Sequence, residues 1–197
     1  QAGLLNQSSA QVIDGSLKLK DVSSNTSTDG TDLRRTPSSS GNMRTHTWSS
    51  WIRRTKYSFD QQIFYSGVDA NNTAHIRFDN DDTITVFDYT NTFTVNPSRK
   101  FRDIGWYHVV VAIDTTQTTD ADKVKIYVNG NLETSFDTAS YPADNLELDF
   151  NRGSTEHSIG RNNVNGNNYF CGSLSQVYWI DGAALGPENF GYTDPLT

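Results

Sequence analysis

At 197 residues, 35% hydrophobic and 12% aromatic, the chain is too rich in core-forming side chains for a disordered segment and short enough for one domain, expected over residues 1–197 with 1–11 as an N-terminal extension. The 16 basic and 23 acidic residues give a formal charge of −7, which argues against nucleic-acid binding, since that depends on Lys and Arg neutralising phosphates. One cysteine, Cys171, excludes an internal disulfide, and no apolar run approaches the roughly 18 residues that span a bilayer, so no membrane partner is expected.

In chain order, a first strand is expected over Val12–Lys20, then a polar loop over Asp21–Asp32 and a short strand at Leu33–Arg35. Pro37–Asn42 reads as a loop, and Thr47–Arg53 and Gln62–Ser66 as strands. From Thr73 the period of two is plain: Ala74, Ile76 and Phe78 alternate with Thr73, His75 and Arg77. Thr83–Phe87 supplies the return strand after the turn residues Asn80-Asp81-Asp82. Phe93–Val95 is another strand. Gly105–Asp114 contains Val109–Ile113, apolar on both faces, as a central strand with cover above and below requires. After a loop over Thr115–Asp122, Lys123–Phe136 reads as a hairpin around Asn129-Gly130, because a type I′ turn needs positive φ at both central positions. Strands follow at Leu146–Phe150, Ser158–Arg161 and Gly172–Ile180, with a polar loop over Arg161–Asn168 and a helical turn at Pro187–Phe190. Many short strands separated by turn clusters imply an all-β fold, a two-sheet antiparallel β-sandwich of the jelly-roll kind.

Three stretches carry a family resemblance. Trp106-Tyr107-His108-Val109-Val110-Val111 with Lys125-Ile126-Tyr127-Val128-Asn129-Gly130 resembles the core of laminin-G-like domains, the LamG branch of the concanavalin A-like lectins and glucanases. Phe170-Cys171-Gly172-Ser173-Leu174 through Gly182 is similar to that family's closing strand, and Ser16–Leu19, Arg35–Pro37 and Thr47–Arg54 to its start. The stretch Ile180–Pro187 through Phe190-Gly191 resembles laminin-G-like modules of bacteriophage structural and tail proteins. The resemblance covers residues 12–194 and implies a jelly roll. It also implies a non-enzymatic virion module, in a tail fibre or head appendage exposed on the particle surface. Its expected partners are a host cell-surface glycan, other virion proteins and further copies of itself, as in a trimer. Assembly without sugar binding is the alternative, and a glycosidase a third. Cys171 and Gln176 stand where that family often has acids.

Candidate chemistry divides into three groups. Loop placement nominates Tyr57, Phe59, Asp69, Asn71, Arg161, Asn163, Asn165, Asn168 and Tyr169 as carbohydrate contacts, since polar loops can bond hydroxyls while an aromatic ring stacks on a sugar. Calcium takes oxygen ligands, and Asp79, Asp81 and Asp82, with Asp114, Asp120 and Asp122, could supply them; the same residues also simply make turns, which is the reading favoured here. Glu147-Leu148-Asp149 would set two carboxylates on one face of a strand, as a retaining glycosidase needs, but the third acid of that motif is replaced by Arg152. His46, His75, His108 and His157 have no zinc-site spacing. Asn6, Asn25 and Asn71 begin glycosylation sequons. Trp48, Trp51, Trp106, Tyr107 and Tyr127 are expected as core or sheet-covering aromatics rather than sugar platforms, and Gly172 as a site of close backbone approach or a bulge.

Overall fold

Val109, Val110 and Val111 are fully or almost fully buried because their strand runs through the middle of one sheet, with a second sheet beneath and returning chain above. The computed structural model describes residues 13, 15–21 and 30–191. The N-terminal extension, most of the loop at 21–32 and the sequons at Asn6 and Asn25 lie outside the described residues.

Sheet one has the order β1 (Leu17–Leu19), β13 (Gly172–Asp181), β3 (Thr45–Arg54), β8 (Tyr107–Asp114), β9 (Val124–Val128) and β10 (Asn131–Leu132). Sheet two has the order β11 (Phe136–Ser140), β7 (Phe93–Pro97), β6 (Ile84–Asp88), β5 (Asn72–Phe78), β4 (Gln61–Asp69), β12 (His157–Ile159) and β2 (Leu33–Arg35). Every pairing is antiparallel, so the expected jelly-roll sandwich is present. No helix of the described residues is long and apolar enough to cross a membrane.

The inner faces meet in one core. Sheet one contributes Trp48, Ile52, Val109, Val111, Ile113, Ile126 and Leu174; sheet two contributes Phe64, Ile76, Phe78, Val86, Phe93 and Val95. Each such buried side chain contributes roughly 1.5–3 kcal/mol of transfer free energy. The outer face of β8 is buried as well. Thr47 Oγ1 donates to Ala183 O (2.7 Å) and accepts from Leu185 N (2.8 Å), which pins the chain after β13 across sheet one. Phe190, just after the 3-10 turn Pro187–Asn189, then reaches the rings of His108 and Tyr178.

Three expectations need correction. The hairpin after Asn129-Gly130 forms, with φ of 51° and 81°, but its return strand ends at Leu132; Phe136 has crossed into sheet two and pairs with Pro97. Asp120–Lys123 is a single helical turn, α1, inside the expected loop. Leu146–Phe150 is not a strand. Its backbone bonds to loops instead, Leu148 N to Met43 O (3.0 Å) and Leu146 O to Thr115 Oγ1 (2.7 Å), while Leu148 and Phe150 plug the core. Gly172 is a close approach: a Cβ there would lie 2.1 Å from Arg53 O. Gln176, where the resemblance favours an acid, sits at φ 48° in the bulge between Ser175 and Tyr178.

Candidate functional site

The outward side chains of sheet two pack largely against one another, and no segment of the described residues is bonded across them as residues 183–190 are across sheet one. On β5 they are Thr73, His75 and Arg77, the polar half of the alternation seen in the sequence. Register sets His75 beside Tyr65 of β4 and Phe87 of β6, and Arg77 beside Thr85. Phe87 in turn pairs with Thr94, and Asn96 with Thr138 of β11. All of these but Thr73 and Tyr65, with Asp79, line a hollow of about 340 Å³.

Its polar groups are held in place by one another. Arg77 Nε donates to Asp79 Oδ1 (2.5 Å), and its Nη1 lies 3.8 Å from Asp60 Oδ2. Thr85 Oγ1 donates to Asp79 Oδ2 (2.5 Å). Asn96 Nδ2 sits between Thr85 Oγ1 (2.6 Å), Thr83 Oγ1 (2.9 Å) and Ile84 O (3.0 Å), which leaves its amide oxygen to accept from a ligand. His75 lies between the rings of Tyr65 (5.8 Å) and Phe87 (4.9 Å), only 6% exposed, and neither of its ring nitrogens has a hydrogen-bond partner. Burial, with Arg77 adding to it, pushes the His75 pKa down to about 3, so the ring is neutral at physiological pH. A half-buried Phe87 ring beside fixed donors and acceptors can stack on the C–H face of a sugar while hydroxyls bond at its edge.

The residues nominated from loops fall in three other places. Phe59, Asn168 and Tyr169 do come together, with Lys56, around a hollow of about 290 Å³. Phe59 is 52% exposed, but the Lys56 ammonium lies over its ring at 4.0 Å. Tyr169 is only 3% exposed, because Gly30 packs directly on its ring, so it is not an open platform. Tyr57 is half-buried and donates to Asp103 O (3.2 Å). Asp69 caps the β4–β5 turn by accepting from the backbone N–H groups of Asn71 (2.8 Å) and Asn72 (3.0 Å); the Asn71 bond above all holds its carboxyl below the usual range. Arg161 and Asn163 brace their own loop, Arg161 against the Tyr169 hydroxyl (3.4 Å) and Asn163 Nδ2 on Gly67 O and Glu156 O (both 3.2 Å). Asn165 is exposed in the same loop.

The six aspartates nominated for calcium are engaged elsewhere. Asp79 holds Arg77 and Thr85. Asp81 binds Lys100 and the Thr83 hydroxyl, and Asp82 is buried against Arg54 (3.2 Å) and Arg102 (3.0 Å) while accepting from Ser58 N (2.7 Å). Asp114 accepts from Thr116 and Gln117, Asp120 from Lys123, and Asp122 faces Lys125 at 2.9 Å. Among the described residues no group of three or more His, Cys, Asp or Glu is arranged to hold a metal. A cation at any of these places has an ammonium or guanidinium to displace, or a turn to open.

Because Leu146–Phe150 is not a strand, the two acids do not share a strand face as expected. Glu147 is exposed and pairs with Arg44 (3.1 Å); Asp149 is buried, accepts from Thr90 Oγ1 and pairs with Arg152 (2.6 Å). A larger hollow of about 540 Å³ opens between the sheets beside β12 and β13. Its aromatic wall stacks on itself, with Phe64 at 4.6 Å from Trp179 and 5.6 Å from Trp48, and Asp181 there already accepts from Asn42 N and Asn151 Nδ2 (both 2.6 Å).

The sheet-two hollow was missed from sequence apart from Asp79, which was read as a calcium ligand or turn former. The signal was present in the polar positions of the alternation, where His75, Arg77, Thr85, Phe87, Thr94 and Asn96 are a poor match for plain solvent-facing residues.

Residues 25–188 match the family model of the concanavalin A-like lectin/glucanases superfamily. No curated protein matches the chain in sequence. Among solved structures, the chain is similar to the CBM40 of the Ruminococcus gnavus IT-sialidase (15% identity, 80% of this chain and 95% of that one, TM-score 0.52). It is also similar to a heptameric SAP-like pentraxin from Limulus polyphemus (14%, 82% and 73%, TM-score 0.54). Part of the NanB sialidase from Streptococcus pneumoniae resembles it too (18%, 91% of this chain but 27% of that one, TM-score 0.54). At these identities the likeness is one of fold.

Proposed function

We propose that this chain, which belongs to the concanavalin A-like lectin/glucanases superfamily, is a non-enzymatic carbohydrate-binding jelly roll whose sugar site is the hollow on the outer face of sheet two. The observation that carries the reading is the hollow itself: a half-buried Phe87 beside a pre-set Arg77–Asp79–Thr85–Asn96 network on the outer face of sheet two. Rigid strands hold these groups, and little ordering remains to oppose binding. The CBM40 likeness supports the same class of ligand, since it names a carbohydrate-binding module. The commitment of Glu147 to Arg44 and of Asp149 to Arg152 supports a binding rather than a hydrolytic role.

The finer placement rests on the resemblance of residues 180–191 to phage modules: display on a virion, facing a host-surface glycan, among other virion proteins and further copies of the chain. Light scattering of the purified chain tests its assembly half, with a stable trimer as the expected species and a monomer at all concentrations as the contrary one.

Glycan-array binding tests the site. Binding that Phe87→Ala abolishes, and that alanine at Asn165 leaves intact, supports the sheet-two hollow; binding lost only with changes at Phe59 or in the 161–169 loop moves the site there.

A further inference from the structure

The geometry points to selectivity within that hollow: we propose that it takes neutral glycans and turns away sugars bearing a carboxylate, an inference that rests on reading the hollow as the sugar site. Among the described residues Arg77 is the one cationic side chain lining it, and it already faces two carboxylates. Nε donates to Asp79 Oδ1 at 2.5 Å, and Nη1 faces Asp60 Oδ2 at 3.8 Å. A carboxylate is recognised best by two parallel N–H groups of one guanidinium. Nε is committed to Asp79, and at the other edge an entering carboxylate has to compete with Asp60, whose 3.8 Å ion pair with Nη1 is longer than a hydrogen bond.

The charge balance points the same way. One guanidinium faces two carboxylates, Asp60 and Asp79, and the neighbouring imidazole of His75 is neutral. An anionic sugar entering here meets a locally negative site on a chain of formal charge −7. What the hollow offers instead is acceptors: the Asp79 carboxylate, the Asn96 amide oxygen, and the hydroxyl oxygens of Thr94 and Thr138. Sugar hydroxyls are donors that suit them, and a neutral pyranose leaves the Arg77–Asp79 pair intact. Like charges a few ångströms apart at a protein surface are enough for roughly a tenfold discrimination or more.

The test is a set of matched pairs measured by titration calorimetry in low salt: lactose against 3′-sialyllactose, and neutral glucose and galactose oligosaccharides against the same chains ending in a uronic acid. The expected result is that every glycan lost on Phe87→Ala is bound at least about tenfold more tightly in its neutral form, with the gap narrowing in about 0.5 M salt, where such charges are screened. Asp79→Asn should narrow it as well; if that variant does not fold, the salt dependence of the unaltered chain carries the test. Equal or tighter binding of the acidic member, still abolished by Phe87→Ala, overturns the selectivity while keeping the hollow as the sugar site. Binding of neither member, or binding indifferent to Phe87→Ala, overturns the reading of the site and the selectivity with it.

Discussion

The two outer faces of the sandwich start from the same alternation and end differently. On sheet one, Thr47, His108 and Tyr178 point outward, and residues 183–190 lie across them, bonded at Thr47 and stacked at Phe190. On sheet two, Tyr65, His75 and Phe87 point outward, and no such segment of the described chain is bonded across them. One set of rings holds residues 183–190 in place, and of the other set His75 and Phe87 line a hollow whose polar groups are already ordered. An outward-facing ring is therefore informative only once its cover is known.

The largest expected effect concerns the support of the open face. Asp82, in the β5–β6 turn, is buried between Arg54 and Arg102, while Arg54 also donates to Phe101 O (2.9 Å) and lies over the Phe78 ring at 4.3 Å. Asp82→Ala leaves the Arg54 charge buried and unpaired, so it should lower stability by about 3–5 kcal/mol in denaturant melts. A loss under about 1 kcal/mol means that the turn is not held by this pair.

Acid comes next. Burial pushes the pKa values of His46 and His157 down to about 4 and that of His75 to about 3, with Arg35 adding to the effect at His157 and Arg77 at His75. The unfolded chain takes up these protons near pH 6.5 and the folded chain does not, so stability is full above roughly pH 6.5 and declines as the pH falls toward 4. Each histidine contributes on the order of 2–3 kcal/mol to that decline. Melting temperatures that stay level from pH 6.5 to 5 run against this burial; His75→Gln should make the decline shallower by that one residue's share, with His46 and His157 still contributing.

A paired substitution sharpens the contrast between the faces. Phe87→Ala should abolish detectable glycan binding, a loss of at least about 1.5 kcal/mol, with a modest stability cost, whereas Phe190→Ala should lower stability by about 1–2 kcal/mol and leave binding unchanged. Reversed roles would mean that sheet one carries the site. The smallest effect is calcium. With Asp79, Asp81, Asp82, Asp114, Asp120 and Asp122 engaged by cations, hydroxyls or amides, millimolar calcium should shift the melting temperature by less than about 1 °C, because only a ligand that binds the folded chain stabilises it. A shift of several degrees, reversed by chelation, would place a metal on those aspartates after all.

How much of this could be read in the sequence depended on range. Asn129-Gly130 and Val109–Ile113 were legible because a turn's φ and a strand's two-sided burial are local demands. Leu146–Phe150 alternates like a strand, yet its apolar residues fill the core between the sheets while its backbone bonds to loops, a distinction that only the partners of the backbone reveal. Asp120–Lys123 is too short to show a helical period. Tyr169 looked like a loop platform because nothing in its neighbourhood announces Gly30, far away in the chain, on its ring. The hollow escaped for the same reason: His75, Phe87 and Asn96 become neighbours only through the pairing of β5, β6 and β7.

The most direct test is an NMR titration of the isotopically labelled chain with the tightest-binding neutral oligosaccharide from the array. The account predicts that the perturbed resonances centre on His75, Arg77, Phe87 and Asn96. Perturbations confined to Phe59, Asn168 and the 161–167 loop, with those four unmoved, would contradict it.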